Sequence, residues 1–111
     1  MISIEPTGNN SMITGTSLSG YLNTSYQTLV ELFGEPNAKV DGYKTDAEWH
    51  VKVKAKGEGA SFATIYNYKD GKNYLGVNGL HVEDIKDWHV GSKVMRTFYN
   101  LEHFVEIYQG V

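Results

Sequence analysis

The hydrophobic positions of this chain change period several times, and each change marks an element. Tyr26, Leu29, Val30 and Phe33 recur at helical spacing. Thr24 stands before them as an N-cap, and Gln27 three residues on completes a capping box. Gly34 and Pro36 stop the pattern. A helix over 25–33 is predicted. The period then falls to two. Residues 47–55 alternate, with Trp49, Val51 and Val53 against His50, Lys52 and Lys54, and so do residues 60–68. Lys56-Gly57-Glu58-Gly59 reads as a four-residue loop between two strands.

Pairing Ala55 with Ala60 sets Trp49 opposite Tyr66 and Val53 opposite Phe62. One face of the hairpin is then apolar and aromatic, and the other carries His50, Lys52 and Lys54. Asp70-Gly71 reads as a second, two-residue hairpin turn. It would return a strand with Leu75 on the buried face and Tyr74 on the open one. Residues 80–86 read as a loop or a short helical turn, and Asp87-Trp88-His89-Val90 as a last short strand. A second helix is predicted from Lys93 to Tyr108, with Ser92 as N-cap. Val94, Phe98, Leu101, Val105 and Tyr108 form its stripe, extended by Phe104. Met95, Tyr99 and Ile107 fall outside the stripe. With Phe104 they form a candidate oligomer or partner surface.

Residues 1–17 show no periodicity and read as a flexible N-terminal arm. Met12, Ile13 and Leu18 allow a short edge strand ending near Asn23. Residues 18–111 form the expected domain. Its predicted class is α+β, an antiparallel sheet of three to five strands with two helices packed on one face.

Composition narrows the function. The 111 residues suit one domain. With no cysteine, neither a disulfide framework nor a Cys-ligated metal site can form. The first residues lack the basic-then-apolar order of a signal peptide, and no stretch has the length of a membrane span. The expectation is therefore a cytoplasmic protein without membrane contact. A net charge of −3 and a single arginine, Arg96, argue against sequence-specific nucleic-acid binding. Eight Tyr, four Phe and two Trp exceed what a minimal core needs, so some rings are expected at a contact surface.

Two resemblances add to this reading. Tyr26 to Trp49, with Phe33-Gly34-Glu35-Pro36 between helix and Trp strand, resembles the helix–FGxP–strand unit of β-lactamase-inhibitory-protein-like domains. That likeness covers about a quarter of the chain and implies fold alone. A broader one spans roughly residues 16–92. Its carriers include Thr16-Ser17-Leu18-Ser19-Gly20-Tyr21, Asp41-Gly42-Tyr43-Lys44-Thr45, Glu48-Trp49-His50, Ala63-Thr64-Ile65-Tyr66-Asn67-Tyr68-Lys69 and Asp87-Trp88-His89-Val90-Gly91. These resemble a family of small tailed-bacteriophage proteins for which no activity can be carried across. The turn Ala55-Lys56-Gly57-Glu58-Gly59 departs from the plain acidic-Gly turn of such proteins.

Candidate chemistry is sparse. His50 and His89 lie in a repeated acid-Trp-His-Val tetrapeptide, Trp inward and His outward. With Asp41 or Asp46 they could ligate a metal, but no HxH or HExxH spacing supports it, so no metal or other cofactor is expected. Glu83, Asp84 and Asp87 read as a solvated loop rather than an acid/base pair. No nucleophile elbow, P-loop or dinucleotide motif is present, and the expectation is a non-enzyme. The candidate binding residues are His50, Lys52, Lys54, Tyr68, Lys69, Lys72, Tyr74 and His89. Tyr66 and Tyr68 should face the helices, with Tyr68 near the sheet edge. The size and the phage resemblance imply a counter-defence inhibitor in the host cytoplasm. It would bind a host immune protein such as a CRISPR effector stoichiometrically, with homodimerisation an option. The alternatives are an oligomeric sponge for a nucleotide immune signal, and a small enzyme or virion component.

Overall fold

The computed structural model describes residues 1–8 and 10–110. Asn9, inside the expected arm, and Val111 lie outside the described residues. In chain order the elements are β1 (Ile2–Pro6), α1 (Asn10–Ile13), β2 (Ser17–Asn23), α2 (Tyr26–Phe33), β3 (Glu48–Ala55), β4 (Ser61–Tyr66), α3 (Lys72–Leu75), β5 (Asp87–Ser92) and α4 (Met95–Gln109), with 3-10 turns at Gly76–Asn78 and Val82–Asp84. The fold is α+β. Five antiparallel strands lie in the order β1-β3-β4-β5-β2, and α2 and α4 pack on one face.

The segment expected as an arm holds β1, which pairs with β3 from Ile2↔Ala55 to Pro6↔Val51. Residues 7–16 then lead from one edge of the sheet to the other, because β2 pairs with β5 at the far side. On the way α1 packs against β4 from the side opposite the long helices.

The register of the central hairpin differs from the expectation by one residue. Trp49 pairs with Ile65, Val51 with Ala63 and Val53 with Ser61. The loop runs over five residues, 56–60, with Glu58 N–H donating to Ala55 O at 3.0 Å. One more loop residue exchanges the faces of the second strand. Ile65 and Ala63 point under the helices, while Phe62, Thr64 and Tyr66 take the other face. The helix-side row then reads Trp49, Ile65, Val90, Gly20, and the neighbouring row on the far face reads Glu48, Tyr66, His89, Tyr21. This register keeps the Tyr66 hydroxyl out of the core, where it would need a buried partner.

The core is aliphatic and indole-based. Trp49 and Trp88 are fully buried and meet edge to face at 5.4 Å. Trp49 Nε1–H donates to Gly34 O at 2.8 Å, anchoring the end of α2 to β3. Leu101, Val105 and Phe98 of α4 close the core, with Leu29 and Phe33 of α2. Gly20 is required by this packing, since a Cβ there would sit 2.5 Å from the Phe98 ring.

Three further expectations are corrected. Ser25, not Thr24, caps α2: its hydroxyl accepts from Thr28 N–H at 3.1 Å, while the Thr24 hydroxyl turns to Gln109. Ser92 belongs to β5 and donates to Val94 O at 2.9 Å, so α4 begins later and has no side-chain cap. No strand follows Asp70-Gly71. Lys72–Leu75 form one helical turn, and Leu75 is exposed rather than buried.

The cause of this last difference is Asn67. Fully buried, it accepts from Asp46 N–H and Ala47 N–H at 2.7 and 3.1 Å and donates to the carboxylates of Asp46 and Asp70 at 2.9 and 3.0 Å. Asp46 in turn accepts from Asn73 N–H at 3.0 Å, which starts α3. All four hydrogen-bonding valences of Asn67 are used, and they bend the chain away from the sheet.

Candidate binding surfaces

Two of the concave regions lie on opposite sides of the sheet. The first is an apolar groove of about 470 Å³ between the start of β1, α2 and α4, lined by Met1, Ile2, Leu32, His103, Phe104, Ile107 and Tyr108. Two of the four residues expected as a partner surface, Phe104 and Ile107, are in it. Phe104 is half-buried and stacks on Phe33 with ring centres 6.2 Å apart, whereas Ile107 is 62% exposed. Met95 and Tyr99 are exposed elsewhere on α4, outside the groove. Gln27 donates to Glu31 at 3.0 Å and Tyr108 donates to it at 2.7 Å across the helix pair, and the two bonds hold the Glu31 carboxyl below its ordinary range.

The groove adjoins the free edge of β1. Thr7 N–H donates to His50 O and Lys56 N–H to Met1 O, so the odd-numbered residues of β1 bond to β3. The backbone groups of Ile2 and Ile4, and the carbonyl of Pro6, therefore point outward. Pro6 has no N–H to offer, which shortens this edge.

The second region is a cleft of about 280 Å³ on the other face, lined by Ile13, Thr16, Ser17, Thr45, Glu48, Thr64, Tyr66, Tyr68 and Gly91. Its neighbours form an aromatic cluster around His89, with ring centres 4.9 Å from Tyr21, 5.4 Å from Tyr66 and 5.6 Å from Tyr68. His89 Nδ1 is buried without a hydrogen-bond partner. Burial lowers the His89 pKa, and Asp70 partly opposes that shift. Burial and the charge of Glu48 raise the Tyr66 phenol.

The eight candidate binding residues fall into separate groups. His50, Lys52 and Lys54 follow one another along the far face of β3 as expected. His50 Nε2 is engaged by Glu48 at 2.6 Å, and Asn37 clamps its backbone. Lys69 Nζ lies 5.3 Å from the Tyr68 ring centre and 5.5 Å from that of Tyr74, which packs on Tyr43 at 5.2 Å. Tyr74 sits in α3 rather than on a strand. Lys72 donates to Val77 O at 3.1 Å. His89 faces the tyrosines. Tyr66 and Tyr68, both expected under the helices, line the cleft on the other face instead.

The side chains weighed as metal ligands are engaged elsewhere. Asp41 Oδ1 accepts from the amides of Tyr43, Lys44 and Thr45, which lowers its pKa, and Asp46 serves Asn67. Among the described residues no group of three or more His, Asp or Glu side chains is placed to hold a metal ion. Glu83 and Asp84 form an exposed 3-10 turn and Asp87 is exposed on β5. No helix among the described residues is long and apolar enough to cross a membrane.

Sequence reasoning missed most of the cleft: Ile13, Thr16, Ser17, Thr45, Glu48, Thr64 and Gly91. Gly91 carried a usable signal, since a glycine within a strand marks close approach or a missing wall. In the groove, Tyr108 belongs to the predicted stripe of the second helix and Met1 and Ile2 to the expected arm, while Leu32 carried no assignment.

No family model, curated protein sequence or solved structure matches the chain.

Proposed function

We propose that this protein works by stoichiometric binding of another protein, as a phage counter-defence factor that occupies a host immune protein such as a CRISPR effector. One observation carries the binding mode: the apolar groove beside the unpaired edge of β1. A partner segment can add to the outward backbone groups of Ile2 and Ile4 while an apolar side chain enters between Leu32, Phe104 and Ile107. Main-chain bonds then supply affinity and the groove supplies selectivity. The counter-defence assignment rests on the resemblance to small phage proteins over residues 16–92.

The nucleotide-sponge reading has less support. The cleft on the other face has no Lys or Arg among its lining residues, so a phosphate entering it meets Glu48 and hydroxyls instead of a cation.

The test is capture of immune effectors from a phage-sensitive host, with the wild type compared against Ile107→Glu and against Tyr43→Ala, an exposed change away from the groove. A specific effector retained by wild type and Tyr43→Ala, and lost with Ile107→Glu, is the expected result. Equal capture by all three proteins sinks the groove as the binding surface. Unimpaired immunity in cells expressing the protein sinks the counter-defence role.

A further inference from the structure

The cleft on the crossover side has a glycine in its floor, with the Thr64 hydroxyl packed where a side chain would stand. Gly91 of β5 pairs with Thr64 of β4 and is buried. A Cβ on Gly91 would lie 2.6 Å from Thr64 Oγ1 and 3.6 Å from both Ser17 O and Thr16 Oγ1. Oxygens from β4, from β2 and from the crossover thus converge above a residue with no side chain. All three can accept a hydrogen bond; Ser17 O also accepts from Ser19 Oγ at 3.3 Å, and neither threonine hydroxyl hydrogen-bonds to another described residue. Glu48 lines the same cleft, and Ile13, Tyr66 and Tyr68 give it apolar and aromatic walls.

We propose that this cleft is a binding site for a primary alkylammonium group. Such a group has three N–H donors and no acceptor, matching three converging oxygens. Glu48, whose Oε2 also meets His50 Nε2 at 2.6 Å, supplies the counter-charge. The rings of Tyr66 and Tyr68 flank the methylene chain and favour a nearby cation. A volume of about 280 Å³ suits a ligand with a few carbon atoms. The lining excludes anions by charge, and a quaternary ammonium has no N–H donor to satisfy the oxygens. The source of the ammonium is a free alkylamine or a lysine side chain of another protein.

The experiment is a titration of the full chain followed by amide NMR. The probes are n-butylammonium, putrescine, Nα-acetyl-lysine amide, choline and adenosine monophosphate. Saturable shifts centred on Gly91, Thr64 and Thr16 are expected with the primary amines. Preference for the free amines identifies a small-molecule site, and preference for the lysine amide identifies a side-chain pocket. Either result supports the ammonium chemistry. Removing the carboxylate with Glu48→Gln should weaken binding about tenfold, the scale of one charge-assisted hydrogen bond. Gly91→Ala should abolish it, and Thr64→Val tests the same floor if Gly91→Ala does not fold. Any of these results would overturn the proposal: no saturable shift in the cleft, choline binding as tightly as butylammonium, or full affinity in Glu48→Gln. Tighter binding of adenosine monophosphate than of any amine does so as well. Ile107→Glu, on the opposite side, should leave the titration unchanged, which separates this site from the groove.

Discussion

The two faces of the sheet are built from the same strands and follow opposite rules. Under α2 and α4 lie Trp49, Trp88, Val51, Val90 and Ile65, all without measurable exposure. Under the crossover lie Glu48, His50, Thr64, Tyr66 and His89, each with polar atoms in half-buried or buried positions. The first face is filled, and its one required glycine, Gly20, makes room for a ring. The second face keeps a cleft, and its glycine, Gly91, makes room for the Thr64 hydroxyl on the cleft floor. Stability therefore belongs mainly to the helix side, while the crossover side has polar groups to spare for a ligand.

Mutations can break that contrast, and the largest effect should come from the filled face. Trp49→Ala should cost about 3–5 kcal/mol, since it removes a fully buried indole and the bond to Gly34. Urea denaturation measures it, and a loss below 1 kcal/mol would mean that the helix side is not the stabilising one. Next comes Asn67→Ala, at about 2–3 kcal/mol, because the amides of Asp46 and Ala47 lose their buried acceptor. This polar exception sharpens the comparison, because Asn67 holds loops and belongs to neither face. Gly20→Ala should cost about 1–3 kcal/mol through overpacking against Phe98.

A fourth, smaller effect lies on the crossover side and depends on pH. Burial lowers the folded-state pKa of His89 below 6.5, so the unfolded chain binds that proton first. Stability should be complete above pH 6.5. It should decline as the pH falls toward the folded-state value, below which no further loss comes from this group. The groups facing the imidazole are Tyr21, Tyr66, Tyr68 and Asp70, and Asp70 reduces the shift. His89→Gln should flatten the thermal-melt profile over that window. An unchanged slope would place its origin elsewhere. Smallest of all, Lys54→Ala should alter stability by under about 0.5 kcal/mol, because its side chain is exposed.

The elements that the sequence made legible are those with a local signature. Tyr26 to Phe33 carried both helical spacing and a Gly34-Pro36 stop, and α2 lies one residue inside the predicted bounds. Trp49 and Trp88 point inward and His50 and His89 outward, because period-two alternation fixes faces within one strand. The relation between strands was not legible. The register of β4 depends on whether Ala60 belongs to loop or strand, and alternation in residues 60–68 fits either choice. Asp70-Gly71 has the composition of a hairpin turn. What overrides it is a contact network reaching back from Asn67 to Asp46. The cleft was hidden for the same reason: Thr16, Thr64 and Gly91 come from three segments, and no spacing along the chain brings them together. Exposure of Met95, Tyr99 and Ile107 was readable from their angle on the helix, but the groove also needed β1, which had no periodicity to announce it.

The placement of β1 and β2 at opposite edges has a consequence for how the chain acquires its shape. Strands β3, β4 and β5 neighbour one another in the sheet in the order in which they occur along the chain. The first 23 residues contribute both borders, and β2 must find β5 some seventy residues away. On the ribosome the borders are made first but have nothing to join until the centre exists. Folding should therefore begin in the central meander and finish by wrapping the early segment around it. Such long-range closure slows folding relative to a meander of equal size. A version permuted to place residues 1–23 after α4 would bring β2 closer to β5 along the chain and reverse the order of synthesis. Comparing the two during translation would show whether the waiting segment needs protection from misassembly.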